Sequence, residues 1–169
     1  MSGVVNPKLS LRPMLPAEAP LLAEIFRASI EELTAEDYRG DQQKAWMSTA
    51  DDEVAFAQTL GGRLTVIATL GGSPIGFVSL EGADKIDMLY VHPAAAGQGA
   101  GSLLIDAVEK LAAGRGAVKL TVDASDSARD FFAKRGYVAQ QRNTVTLNGE
   151  WLANTTMHKQ LASEKQEAS

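Results

Sequence analysis

The chain has no cysteine. That excludes disulfides, thiolate-bound metals and a cysteine nucleophile, and it suits a reducing, cytoplasmic setting. Basic residues are the minority: 16 Lys and Arg stand against 21 Asp and Glu, for a net charge of −5. With no basic cluster, nucleic acid is not expected as a partner. No apolar run approaches the ~18 residues of a membrane span, and the N-terminal stretch lacks the apolar core of a signal peptide, so no membrane is expected either. Histidine is scarce. His92 and His158 lie far apart with no third ligand in view, so no metal is expected, and His92 reads as a loop residue. Repeats and linkers are missing too, which makes residues 1–169 read as a single domain with a structured core over about 8–159. Its 45% hydrophobic and 22% charged composition is ordinary for a globular chain with a real core.

Periodicity outlines the elements. Residues 1–6 read as a loose end and Lys8 to Met14 as a first strand. Pro16 and Ala17 open a helix to about Leu33, with Leu21, Leu22, Ile25, Phe26 and Ile30 as its buried stripe. A turn over Thr34 to Tyr38 leads to a helix from about Asp41 to Met47. A third helix runs from Asp51 to Leu60, with Asp51 or Thr49 as its cap. Arg63 to Leu70 and Ile75 to Leu80 flank a turn at Gly71-Gly72-Ser73-Pro74, and Lys85 to Val91 is the next strand, with Met88 and Leu89 in the core. Later come a strand over Val118 to Val122 and a helix over Asp126 to Arg135, closed by Gly136. Strands over Tyr137 to Leu147 and Glu150 to Lys159 flank Asn148-Gly149, a type I′ signal. From Leu161 onward the chain reads as a charged, frayed tail.

The most informative stretch runs from Ile86 to Val108. Leu89-Tyr90-Val91 suits a strand that Pro93 stops. After Gly101 the apolar residues return at helical spacing. Between them, Gly97, Gly99 and Gly101 remove side chains where the backbone must approach something closely, and they leave N–H groups free at a helix start. That is a ready anion site, and a branched Cβ at Gly99 or Gly101 would fill the space the anion needs. The loop lacks the lysine of a Walker motif, and Ser102 stands where a dinucleotide fingerprint needs glycine. Taken alone, the triplet is equally a glycine-rich turn before an ordinary helix.

The flanks narrow the choice. Val91-x-Pro93-x-x-x-Gly97-x-Gly99-x-Gly101-Ser102-x-Leu104 resembles the acetyl-CoA-binding motif of the GNAT N-acetyltransferases, of a small bacterial subgroup. The element order matches as well, which implies an α/β (α+β) fold with a mixed, mostly antiparallel sheet between helices on both faces. By this resemblance the cofactor is acetyl-CoA. Gly97, Gly99, Gly101, Gln98, Ala100 and Ser102 hold its pyrophosphate, backbone N–H groups near Leu89 and Val91 receive its pantetheine and polarise the thioester, and Tyr90 between them is a further cofactor-binding candidate. One departure is Ala96, where the family usually carries Gln or Arg. Ser125 to Tyr137 resembles a second signature of the family, with Ser125 in place of an Asn that holds pantetheine. Phe132, beside Phe131, replaces a Tyr that often protonates the leaving thiolate.

Tyr38 to Trp46 resembles the region that roofs the acceptor pocket in this family, so Tyr38 and Trp46 are substrate-pocket candidates; as residues alone they are equally packing aromatics. Asp87 and Glu81 sit on central strands, where the plain reading is a polar residue at a sheet edge or a salt bridge, and they are the candidate bases for an amine, directly or through water. The implied activity is acetyl-CoA-dependent N-acetylation of a primary amine on a small molecule or peptide. The alternative is a catalytically weak acyl-CoA-binding or sensory module of the same fold. Room is left for a homodimer.

Overall fold

The computed structural model describes residues 8–161, so the N-terminal end and the tail after Leu161 lie outside the described residues. Seven strands form one mixed sheet in the order β1-β2-β3-β4-β5-β7-β6. They are β1 (Leu9–Pro13), β2 (Leu64–Leu70), β3 (Ser73–Glu81), β4 (Lys85–Val91), β5 (Lys119–Ser125), β6 (Val138–Leu147) and β7 (Glu150–Gln160). Every neighbouring pair is antiparallel except β4 and β5. The α-helices of the described residues are α1 (Ala19–Leu33), α2 (Gly40–Met47), α3 (Glu53–Gly61), α4 (Ala100–Gly114) and α5 (Arg129–Ala133).

Alternation along the strands divides the core in two. Val66, Ala68, Val78 and Leu80 pack with Leu104, Ile105 and Val108 of α4. Ile67 and Phe77 point the other way, onto Leu22, Phe26 and Ile30 of α1 and Leu60 of α3. Both faces of the sheet are therefore covered by helices, as the strand and helix periodicities require. Leu21, expected on the buried stripe of α1, is 37% exposed. Leu161, expected in the frayed tail, is buried, and its N–H donates to the Val118 carbonyl at 2.8 Å.

Local chemistry moves several boundaries. Gly71 and Gly72, with φ of +59° and +88°, make the β2–β3 turn alone, so β3 begins at Ser73 rather than Ile75. Asn148 and Gly149, at φ +44° and +84°, form the expected type I′ turn. The cap of α3 is Asp52, whose carboxylate accepts the Ala55 N–H at 3.0 Å; the Asp51 carboxylate goes to Arg27 instead, at 3.8 Å. α5 starts three residues late because Ser125 holds the chain in a turn. Its hydroxyl and its carbonyl both accept from the Ala128 N–H.

β4 carries one irregularity. Ser79 faces Met88 while Leu80 faces Ile86, so Asp87 is an extra, bulged residue. The Met88 N–H donates to the buried Ser79 hydroxyl at 3.1 Å, which satisfies the interrupted ladder. Met88 and Leu89, expected together in the core, are only half-buried and pack on opposite faces of the sheet.

Candidate active site

β4 and β5 pair only where the start of β4 meets the middle of β5, Lys85 with Thr121 and Ile86 with Val122. Beyond Ile86 they diverge and leave β4 with a bare edge. Which groups line that edge follows from register. The His92 N–H donates to the Ile75 carbonyl at 2.7 Å, and Tyr90 faces Phe77 two residues earlier, so His92 and Tyr90 turn their N–H groups toward β3. In an antiparallel ladder the intervening residues turn theirs the other way. The N–H groups of Leu89 and Val91 therefore point into the gap. Leu89, Tyr90, Val91, Ser125, Phe131 and Phe132 line a slot there, together with Gly101, Ala128 and the C-terminal part of α1.

At the outer end of the slot lies the glycine loop. His92 opens it by accepting the Ala94 N–H on Nδ1. Gly97 and Gly99 sit at φ +80° and +90°, a conformation that only glycine adopts without strain. Gly99 is the residue before α4, so the free N–H groups of the first helical turn face the groove beside it. Gly97, Gly99, Ala100, Gly101 and Ser102 line that groove with Ala96, Phe131 and Arg135; Gln98 is exposed and does not. Gly101 is also crowded from within the fold: a Cβ there would lie 3.0 Å from Cε1 of Phe131.

At the inner end the slot opens into a second cavity, lined by Tyr38, Trp46, Asp87, Leu89, Tyr90, Asp123 and Phe132 and closed by Val145, Leu147, Leu152 and Asn154 from β6 and β7. Aromatic rings form its roof. Tyr38 and Trp46 meet edge to face at 5.3 Å, and the Trp46 indole N–H donates to the Tyr90 hydroxyl at 3.2 Å. Burial, first of all, pushes the Tyr38 and Tyr90 hydroxyls above the ordinary tyrosine range, so both stay protonated near neutral pH. Tyr38 also ties the site together. Its hydroxyl donates to the Ala153 carbonyl at 2.6 Å and accepts the Asp126 N–H at 2.9 Å. Tyr38→Phe leaves both groups without a partner and is expected to cost about 1–3 kcal/mol. Urea unfolding checks this: the midpoint should fall with the m-value unchanged.

The two candidate carboxylates share one arginine. Arg63, just before β2, lies 3.4 Å by Nε from Asp87 Oδ2 and 3.6 Å by Nη2 from Glu81 Oε1. Only Asp87 reaches the cavity; Glu81 lines neither the cavity nor the slot. Arg63 Nε and Asp87 Oδ2 are buried and have no hydrogen-bond partner among the described residues, so their contact is one of charge alone.

A bare strand edge, a glycine loop before a helix and an enclosed inner cavity form one continuous cleft. The family model for the GNAT acetyltransferase domain matches residues 34–161. The chain belongs to the GNAT acetyltransferases. It is 63% identical to a crystal structure described as a GCN5-related N-acetyltransferase, aminotransferase class-II, from Rhodopseudomonas palustris, with 95% of this chain and 100% of that one covered at a TM-score of 0.90. An uncharacterized N-acetyltransferase, YafP, of Escherichia coli K12 is 28% identical over 150 residues, 88% of this chain and 94% of that one. The PaiA N-acetyltransferase of Thermoplasma acidophilum, solved in complex with coenzyme A, shares the fold at a TM-score of 0.70 and 18% identity, over 90% of this chain and 99% of that one.

As a GNAT enzyme, this protein catalyses acetyl transfer. The Phe132 ring is buried, packed at 5.2 Å against Tyr137 and at 5.3 Å against Phe131, and it borders both the slot and the inner cavity. Sequence reasoning missed Arg63, Ser79 and Arg135. The bulge at Asp87 breaks the strand period by one residue, a weak signal; the contacts of Arg63, and that of Arg135 with Ser102, are long-range and leave no local mark.

Proposed function

We infer that this GNAT enzyme moves an acetyl group from acetyl-CoA to a primary amine on a small molecule or peptide, by direct attack within the cleft. The observation that carries the reading is the unpaired edge of β4, where the Leu89 and Val91 N–H groups face a slot that runs from the glycine loop to the inner cavity. The residues fit the cofactor. An amide-bearing arm can pair with a bare strand edge, and the positive-φ glycines before α4 present N–H groups to a phosphate. Acetyl-CoA supplies the activated acetyl group, and its thiol is the leaving group.

The chain's own residues orient and desolvate. N–H groups on β4 polarise the carbonyl as charge develops on its oxygen, and Ser125, Phe131 and Phe132 wall the arm. Tyr38 and Trp46 roof the acceptor. Asp87, the carboxylate that borders the inner cavity beside Tyr90, takes the proton from the amine, directly or through water. Tyr38 and Tyr90 are no bases, since both hold their protons. Phe132 gives none to the departing sulfur. A thiol pKa near 8.5 makes that acceptable, because solvent can protonate the thiolate after it leaves.

No covalent acyl-enzyme is expected. Cysteine is missing from the chain, and neither histidine lines the cleft. Initial rates of CoA release, taken over a grid of acetyl-CoA and amine concentrations, should give intersecting lines. Parallel lines, or an acetylated peptide that forms and decays at the turnover rate, would refute direct attack. Tight acetyl-CoA binding with no turnover on any amine of a broad panel would favour the sensory reading instead.

A further inference from the structure

Arg135 follows α5 and turns back toward the start of α4. Its guanidinium lies over the Phe131 ring, 3.7 Å from the centroid. Nη1 donates to the Phe131 carbonyl at 2.9 Å, and Nη2 donates to the Ser102 hydroxyl in the first turn of α4. The side chain is half-buried and borders the groove of the glycine loop. Among the described residues it forms no ion pair.

That placement is unfavourable on its own. The N-terminus of α4 carries the positive end of the helix dipole, and a fixed guanidinium beside it adds like charge with no counter-ion. The loop from Ala94 to Ala100 has no basic side chain, so among the described residues Arg135 is the only cation bordering the groove. The backbone accommodates the arrangement. Gly101 leaves room for the Phe131 ring, since a Cβ would come within 3.0 Å of it, and that ring carries the guanidinium.

We propose that Arg135 is the cation of this loop: it reaches across from α5 and binds the diphosphate of the acyl-CoA against the N–H groups of α4. The inference rests on the acetyl-CoA reading of the cleft. A planar guanidinium suits the role, because it can keep its stacking and still offer donors to a phosphate oxygen. Arg135 is thus a cofactor-positioning residue, and its removal acts on binding rather than on the chemical step.

Calorimetry with CoA and dephospho-CoA, together with turnover on S-acetylpantetheine, tests this. Arg135→Met should raise the Kd of CoA and of dephospho-CoA alike, by about 10- to 100-fold. It should change kcat/KM on S-acetylpantetheine, which has no diphosphate, by less than about threefold. Arg135→Lys keeps the charge without the fork and should bind CoA better than Arg135→Met. A loss confined to CoA would place the contact on the ribose phosphate and overturn the proposal. So would an equal loss on S-acetylpantetheine, which marks a merely structural role, or an Arg135→Lys protein no better than Arg135→Met. A wild type that binds neither CoA nor dephospho-CoA ends the acetyl-CoA reading itself. A wild type that binds while Arg135→Met binds equally well ends only the role of Arg135.

Discussion

Replacing Gly99 with valine is expected to lower acetyl-CoA affinity about 100-fold or more while the protein still folds. Gly99 sits at φ +90°, and its carbonyl accepts the Leu103 N–H at 3.0 Å, the first bond of α4. A β-branched residue there is strained by about 1–3 kcal/mol. Nothing in the fold collides with the new side chain, since the nearest atom to a Cβ is Leu9 Cδ1 at 3.9 Å. The strain is therefore relieved by rotating the loop, which turns the N–H groups at the start of α4 away from the groove. Losing two hydrogen bonds to a charged group accounts for the size of the effect. Gly116 supplies the control. It lies past the other end of α4 at φ +90°, with nothing within 4 Å of a Cβ. Gly116→Val should lower stability by a similar amount and leave affinity alone. Unchanged affinity in a folded Gly99→Val protein would remove the phosphates from this loop.

The fold was legible where the local code is strong. Gly71-Gly72 and Asn148-Gly149 mark hairpins because their backbones need positive φ, and the stripe of α1 and the strand alternation assign each element to a face. Boundaries failed where side chains compete with the backbone, as Ser125 does before α5 and Asp52 does at α3. In the site, the positive φ of Gly99 was legible from its place before a helix, but the crowding of Gly101 by Phe131 was not, since it depends on a ring thirty residues later in the chain. Asp87 and Glu81 looked alike as acidic residues on central strands. What separates them is the bulge that sets Asp87 beside the cavity and leaves Glu81 at its arginine, a difference written in the register of two strands.

Asp87→Asn is expected to lower kcat about 100-fold or more at saturating acceptor, with the Kd for acetyl-CoA changed less than about threefold. The amide keeps the shape of the side chain but neither carries the charge nor accepts the proton. Arg63 Nε at 3.4 Å faces the carboxylate without donating a hydrogen bond to it, so Asp87 retains the capacity to accept one from an amine or a water. Without Asp87 the acceptor must arrive already neutral. For an alkylamine that titrates near 10, the rate of the variant should then climb about tenfold per pH unit above neutrality, toward that value. Glu81→Gln is the comparison. Glu81 shares Arg63 at 3.6 Å but lines neither the cavity nor the slot, and its loss should cost less than about threefold. A fall of less than tenfold in Asp87→Asn would mean that the proton leaves through solvent alone. A loss seen only in the KM for the amine would mean that Asp87 holds the acceptor's charge and does not take its proton.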